Sequence, residues 1–296
     1  TSDWTKPRTL KSIVAAMDDL IMEYLGIDAL CDSLAKTNLQ KLNLSNIGLD
    51  PVGLSKFATL FTSETSFSTA LSEVNISKNN IGADGAKALL DVIPQSKIQK
   101  LVIGDGVEVL TLGAEMKATS LDFSNKCFGP GELMLISALV IPFSPAVTEI
   151  RLDSNPITGS KYRADGVGPR LKNYGVEEYD CDASGLVALL EAMKSSAVAK
   201  LSISDCDIGP KGLMTSAPLI SVIPALAEVN LSTNKCFDAQ SSKAFSDAVL
   251  KSNVKTLAFG PKTTFTVLIG VNSEEKTLDY SNQDFRPGEL MLISSL

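Results

Sequence analysis

Apolar residues along the chain follow two rhythms in alternation. Over 71–81 (LSEVNISKNNI), Leu71, Val74 and Ile76 alternate with polar residues, as in a half-buried strand, and Asn79 and Ile81 follow a tight polar turn. Ala86, Leu89, Leu90 and Ile93 then recur at i, i+3, i+4 and i+7, one face of a helix. A unit that changes period so quickly cannot bury its apolar side alone. It needs neighbours of its own kind.

The rest of the chain supplies them. The pattern LxxLxLxxNxL recurs at 39–49 (Leu39, Leu42, Leu44 and Leu49, with Ile47 in the Asn place) and at 147–157 (Val147, Ile150, Leu152, Asn155, Ile157). It returns at 198–208 (Val198, Leu201, Ile203, Cys206, Ile208) and 226–236 (Leu226, Val229, Leu231, Asn234, Cys236). Weaker copies begin at Ile98, Ala118, Val176, Val254 and Glu275. Helical stripes follow Gly53 (Leu54, Phe57, Ala58, Phe61) and Gly185 (Leu186, Leu189, Leu190, Met193). Residues 98–128 break the rule: IQKLVI leads into GDGVEVLTLGAEM, which alternates and turns at Gly104–Gly106, and only 20 residues separate the starts at Ile98 and Ala118. A helix hardly fits there. The expectation is an extended or hairpin return, with strand carried on the outer side, repeated over 254–280.

These residues resemble the leucine-rich repeat family, and within it the ribonuclease-inhibitor-like subclass. The identifying features are the LxxLxLxxN core followed by IGxxG and a full helix, as in Ile81-Gly82 with Gly85 and Ile208-Gly209 with Gly212. Spacings of 27, 28 and 28 residues between starts suit that subclass. The resemblance covers about 39–296. It implies an α/β leucine-rich-repeat solenoid: a curved right-handed array with a parallel inner sheet and a mostly helical outer face with some extended repeats. It also implies that Asn79, Asn155, Cys206 and Asn234 bond neighbouring loop backbone as a ladder. Cys127, Cys181 and Cys236 fall on inward or near-inward positions, where a small buried thiol is the default.

A longer period underlies the short one. SLDFSNKCFGPGELMLISAL (120–139) matches TLDYSNQDFRPGELMLISSL (277–296) at a shift of 157. Residues 26–48 correspond to 185–209, and Pro7-Arg8-Thr9-Leu10-Lys11 resembles Pro169-Arg170-Leu171-Lys172. The expectation is one array over 1–296, with block one at about 1–160 and an incomplete block two at about 161–296. Its open C-terminal end would pack on a partner or on further repeats.

Composition narrows the chemistry. A net charge of −7 argues against nucleic acid and anionic membrane as partners. No apolar run approaches the roughly 20 residues that span a bilayer, and the N-terminus lacks the apolar core of a secretory signal. The chain has 5 cysteines and no CxxC. An odd count suits a reducing, intracellular setting, either cytoplasm or an organelle lumen. With no histidine, Ser-His-Asp, Cys-His and His–metal chemistries are excluded. GDGVEVLTLG is not a phosphate loop, and DCDASG (180–185) lacks calcium-loop spacing. No catalytic, cofactor-binding or metal residue is therefore assigned, no cofactor is expected, and the chain is not read as an enzyme.

Two surfaces remain. The central outward residues of the strands (Asn43, Asn75, Val102, Asp122, Arg151, Asp180, Ser202, Asn230, Ala258 and Asp279) form a polar, slightly acidic series. It is most acidic around Glu149, Glu177, Glu178, Asp180 and Asp182. This is either a solvated sheet face or a broad surface for a basic or polar protein. The insert 156–175 sets Lys161, Arg163, Arg170 and Lys172 against Asp165, with Tyr162 and Tyr174 adding aromatic surface. It is either a partner-contact loop or a solvated connection. The candidate contact set is Lys161, Tyr162, Arg163, Arg170, Lys172, Arg151, Glu177 and Asp180. The expected function is a non-enzymatic protein–protein interaction scaffold or a subunit of a larger assembly. The resemblance leaves open a regulator of an enzyme in trans, of inhibitor or GTPase-activating type, and the sensor region of a receptor.

Overall fold

The computed structural model describes residues 26–62, 64–112, 117–162, 176–234, 237–260, 265–269 and 285–295. Strands are short, and the three-residue strands of the two main sheets alternate polar–apolar–polar. In the first sheet β1 (Lys41–Asn43), β2 (Glu73–Asn75) and β3 (Lys100–Ile103) run parallel, with Leu42, Val74 and Leu101 in register, and β4 (Glu108–Thr111) returns antiparallel to β3. The second sheet begins with β5 (Ser120–Asp122) and β6 (Glu149–Arg151). Then β7 (Lys161–Tyr162) and β8 (Val176–Glu178) form a separate antiparallel ribbon. The second sheet resumes with β9 (Lys200–Ser202), β10 (Glu228–Asn230) and β11 (Thr256–Phe259), parallel to one another, and closes with β12 (Phe265–Leu268), antiparallel to β11. Strand β6 pairs directly with β9, with Ile150 opposite Leu201.

Two expectations change. The return strands β4 and β12 extend the sheet instead of lying on the outer side. Alternation explains this: Leu110 faces the core and is buried, so hydrogen-bonding beside β3 satisfies both its backbone and its side chain. The copy at Val176 supplies no strand to the main sheet. Instead β8 closes a ribbon that lengthens the connection between β6 and the next helix.

Strands β1, β2, β5, β6, β9 and β10 each lead into a turn whose second residue has a left-handed backbone. Asn46, Lys78, Asn125, Ser154, Asp205 and Thr233 have φ of 55°, 58°, 58°, 60°, 54° and 60°. That conformation aims each amide at the neighbouring turn. Asn46 N donates to Ser77 O (3.0 Å), Lys78 N to Gly104 O (2.8 Å) and Asn125 N to Asp153 O (2.9 Å). Ser154 N donates to Ser204 O (2.9 Å), Asp205 N to Ser232 O (2.9 Å) and Thr233 N to Gly260 O (2.6 Å). Inside these turns the expected Asn ladder is present. Asn155 accepts from Lys126 N and Phe128 N (both 3.0 Å) and donates to Phe123 O and Leu152 O (both 2.8 Å). Asn79 and Asn234 make the equivalent bonds. Cys206 donates its thiol to Leu152 O at 3.2 Å. Burial pushes that thiol's pKa up, so it is an inert ladder member.

Helices follow the turns: α1 over 26–34, α2 (Pro51–Ala58), the short α3 (Ser66–Ala70), α4 (Gly82–Val92), α5 (Pro130–Leu139), α6 (Ser184–Met193), α7 (Pro210–Ile220), α8 (Ala239–Val249) and α9 (Pro287–Ser295). Pro opens α2, α5 and α7, where the missing N–H costs nothing. Asp50 and Asp238 cap α2 and α8 by accepting from Gly53 N and Ser241 N, both at 2.7 Å. Helices pack in the order α2, α4, α5, α6, α7, α8, α9. Leu54, Phe57, Leu186, Leu189, Leu190 and Met193 are wholly buried between them and the strands. Close approach at the helix starts requires glycine. A Cβ on Gly131 would collide with Gly82 O, and one on Gly185 with Pro130 O.

Candidate functional site

The sheet face opposite the helices carries the outward residues. In the first sheet Lys41, Glu73 and Lys100 share a row, and Lys41 pairs with Glu73 at 2.9 Å. In the second, Glu149, Lys200 and Glu228 share a row, and Lys200 pairs with Glu228 at 2.9 Å. The bond from Lys41 lowers the Glu73 pKa, and the bond from Glu228 raises that of Lys200. The face therefore alternates in sign across the strands. The acidic balance expected for it is largely neutralised from within.

The next row holds a bonded polar network. Asp153 Oδ1 accepts from Ser202 Oγ (2.6 Å) and Ser204 N (2.9 Å), and Asp153 Oδ2 accepts from Arg151 Nη2 (3.2 Å). Asn230 Nδ2 donates to Ser202 Oγ at 2.9 Å. Arg151, Asp153, Ser202 and Asn230 thus form one chain across β6, β9 and β10. The bond to Asp153 is the main cause of a raised Arg151 pKa. Arg151, Ser202 and Asn230 edge a shallow depression of ≈ 310 Å³ that also touches Glu149, Lys200, Glu228 and Thr266. Asp153 and Asn230 had no assigned pairing at the sequence level. Asp153 stands where the other strong copies place Ser (Ser45, Ser77, Ser204, Ser232), and that exchange was the available signal.

A family model described as Leucine Rich repeat matches residues 67–90 and 198–215. The two matches support a leucine-rich repeat family. The parallel strands and the helices beside them fit a leucine-rich-repeat-like fold. No curated protein matches the chain. Leucine-rich repeats generally mediate protein–protein interaction and are typically non-enzymatic modules. Among the described residues, no helix is long and apolar enough to cross a membrane, and no cluster of His, Cys, Asp or Glu is placed to hold a metal ion.

The second candidate surface is the β7–β8 ribbon between the repeats of β6 and β9. Its root is buried and bonded. Ser160 Oγ donates to Asp207 O (2.9 Å) and accepts from Asp180 N (3.1 Å), and Asp182 N donates to Thr158 O (3.0 Å). Above the root, Lys161 Nζ pairs with Glu178 Oε2 at 3.1 Å on the exposed surface. That bond is the first cause of a lowered Glu178 pKa and a raised Lys161 pKa. Glu177 is exposed beside it.

Asp180 must be corrected as a contact residue. It is 1% exposed, and its carboxylate accepts from Gly209 N (3.0 Å) and Gly212 N (2.8 Å). It serves the start of α7, where unpaired amides and the helix dipole favour a carboxylate. The sequence pattern placed it on the sheet face because β8 reads as a repeat strand. Asp182 likewise accepts from Ser184 N (2.9 Å) at the start of α6. Lys161 and Glu177 thus lie on the ribbon and Arg151 on the sheet face, whereas Asp180 is buried at the start of α7. Tyr162 contributes backbone to β7. Arg163, Arg170 and Lys172, with Tyr174 and Asp165, lie outside the described residues, as do Cys236 and Asp279.

Proposed function

We propose that the chain is a non-enzymatic scaffold or assembly subunit that presents its open sheet face and the β7–β8 insert to a protein partner. The observation that carries this reading is the Arg151–Asp153–Ser202–Asn230 network. Its side chains are already held by one another, so a partner meets a surface with little conformational entropy left to lose. Paired charges around it favour a mixed polar partner over a purely basic one. The insert adds a second, basic contact through Lys161, Arg163, Arg170 and Lys172. The reading includes a single curved solenoid of two unequal blocks, one at about 1–160 and one at about 161–296. It also includes the ribonuclease-inhibitor-like subclass, supported by IGxxG and a full helix after several strands, and an intracellular setting, supported by the unpaired cysteine count.

Affinity capture with quantitative mass spectrometry tests it. Arg151→Glu is expected to lower recovery of the main captured protein about tenfold, the equivalent of about 1.4 kcal/mol. Changing Lys161, Arg163, Arg170 and Lys172 together to Ala is expected to reduce it further. Full recovery with both sets would overturn the assignment of these surfaces.

A further inference from the structure

Successive repeats enter their strands along one edge, and backbone amides form a ladder there. Thr148 N donates to Thr119 O (2.9 Å), and Ala199 N to Thr148 O, Ala227 N to Ala199 O and Lys255 N to Ala227 O (all 2.8 Å). Equivalent positions of neighbouring repeats therefore stand side by side. Four residues before the first apolar position of a repeat come Phe143, Lys194, Val222 and Leu250, ahead of Val147, Val198, Leu226 and Val254. The apolar members of this row face solvent: Phe143 is 43% exposed, Val222 54% and Leu250 50%. Exposed Pro142, Pro145 and Pro224 widen it. At the usual strand and helix spacings the row is about 15 to 30 Å long.

The same edge collects lysine. Lys36, Lys97, Lys100, Lys117, Lys251 and Lys255 are exposed on it, and among the described residues they pair with no carboxylate. Glu73, Glu191 and Glu228 are already held by Lys41, Lys194 and Lys200 at 2.9, 2.7 and 2.9 Å. Glu64, Asp91 and Glu149 stand against the free lysines. The opposite edge, where strands run into their turns, carries Asp84, Asp105, Asp182, Asp205 and Asp238. The net charge of −7 is thus unevenly placed. The 11 residues of α8, which runs between the two edges, span about 16 Å. That exceeds the Debye length of about 8 to 10 Å, so the acidic edge is screened from whatever meets the lysines. Helix dipoles favour lysine near helix C-termini, but they give no reason for exposed Phe, Val and Leu in the same row.

We propose that this edge rests on the surface of an anionic phospholipid bilayer. Phe143, Val222 and Leu250 enter the headgroup boundary, and the lysines meet the lipid phosphates and carboxylates. Apolar residues interleaved with lysine are what an interfacial contact requires. A protein partner calls for a continuous apolar centre depleted of charge, and Lys194 interrupts this row. Docking by the edge leaves the sheet face and the β7–β8 ribbon open. It uses none of the contact residues proposed there, so the two readings stand or fall separately.

Co-sedimentation of the chain with vesicles tests it, comparing phosphatidylcholine alone with an equal mixture of phosphatidylcholine and phosphatidylserine. Binding to the mixture is expected at low salt, and roughly tenfold weaker binding to phosphatidylcholine alone. Lys251→Ala with Lys255→Ala should weaken binding to the mixture about thirtyfold. Phe143→Ser with Leu250→Ser should weaken it about tenfold. All four side chains are exposed, so circular dichroism should show an unchanged fold. A chain that does not bind the mixture would overturn the proposal and leave the edge to an acidic protein. Binding that either double variant leaves unchanged would overturn it as well.

Discussion

At the scale of single residues, much of the architecture rests on amides and carbonyls that side chains complete. Asn155 is 1% exposed and joins two turns through its four close bonds. Asn155→Ala would leave buried amides at Lys126 and Phe128 without their acceptor. A loss of about 3 kcal/mol is expected, read from the urea midpoint. A loss near zero would mean that the turns re-bond without it. Thr233 is the opposite case. It is β-branched yet has φ of 60°, a backbone that costs most residues energy and Asn least. Thr233→Asn is therefore expected to raise stability by about 1 kcal/mol in the same measurement.

At the scale of elements, the start of α5 holds a buried carboxyl. Glu132 is 6% exposed and accepts from Gly129 N at 2.9 Å. Burial pushes its pKa from 4.5 up to about 7. The folded chain therefore keeps a proton that the unfolded chain loses near pH 4.5. Stability attributable to this group falls as pH rises from about 4.5 to about 7 and is level above that. Glu132→Gln keeps an acceptor for Gly129 and carries no charge. It is expected to raise stability at pH 8 by roughly 3 kcal/mol and to change little at pH 4, measured as melting temperature against pH. Equal effects at both pH values would refute the burial argument. The helices were legible in the sequence because their stripes and their Asp, Pro and Gly signals agree. The Asn ladder was legible through the resemblance. The sheet position of β4 was not, since alternation shows that a segment is a strand but not which edge it joins. Asp180 was misplaced for a related reason: VEEYD has the spacing of a repeat strand, and only pairing with Lys161 reveals a ribbon. The Asp153 network was hidden because Ser202 and Asn230 come together across strands 28 residues apart.

At the scale of the whole molecule, the helix layer and the strand layer differ in continuity. Helix α4 packs on α5, while β4 and β5 belong to different sheets. That seam is bridged by Lys126 and Glu108 at 3.6 Å and by the close contact of Gly104 with Phe128. Native-state hydrogen exchange is expected to separate β1–β3 from β6–β11 into two groups that open with different free energies. A single common opening would show that the helices alone set cooperativity. The direct pairing of β6 with β9 has a consequence for chain entropy. Cys206 and Asn234 link neighbouring turns across 28 residues, but Ser154 and Asp205 are linked across 51. Closing the longer segment costs only about 0.5 kcal/mol more, because closure entropy grows with the logarithm of length. With Ser160 and Asp180 clamping the root of the ribbon, the register of Ile150 and Leu201 is insulated from changes made in β7 and β8.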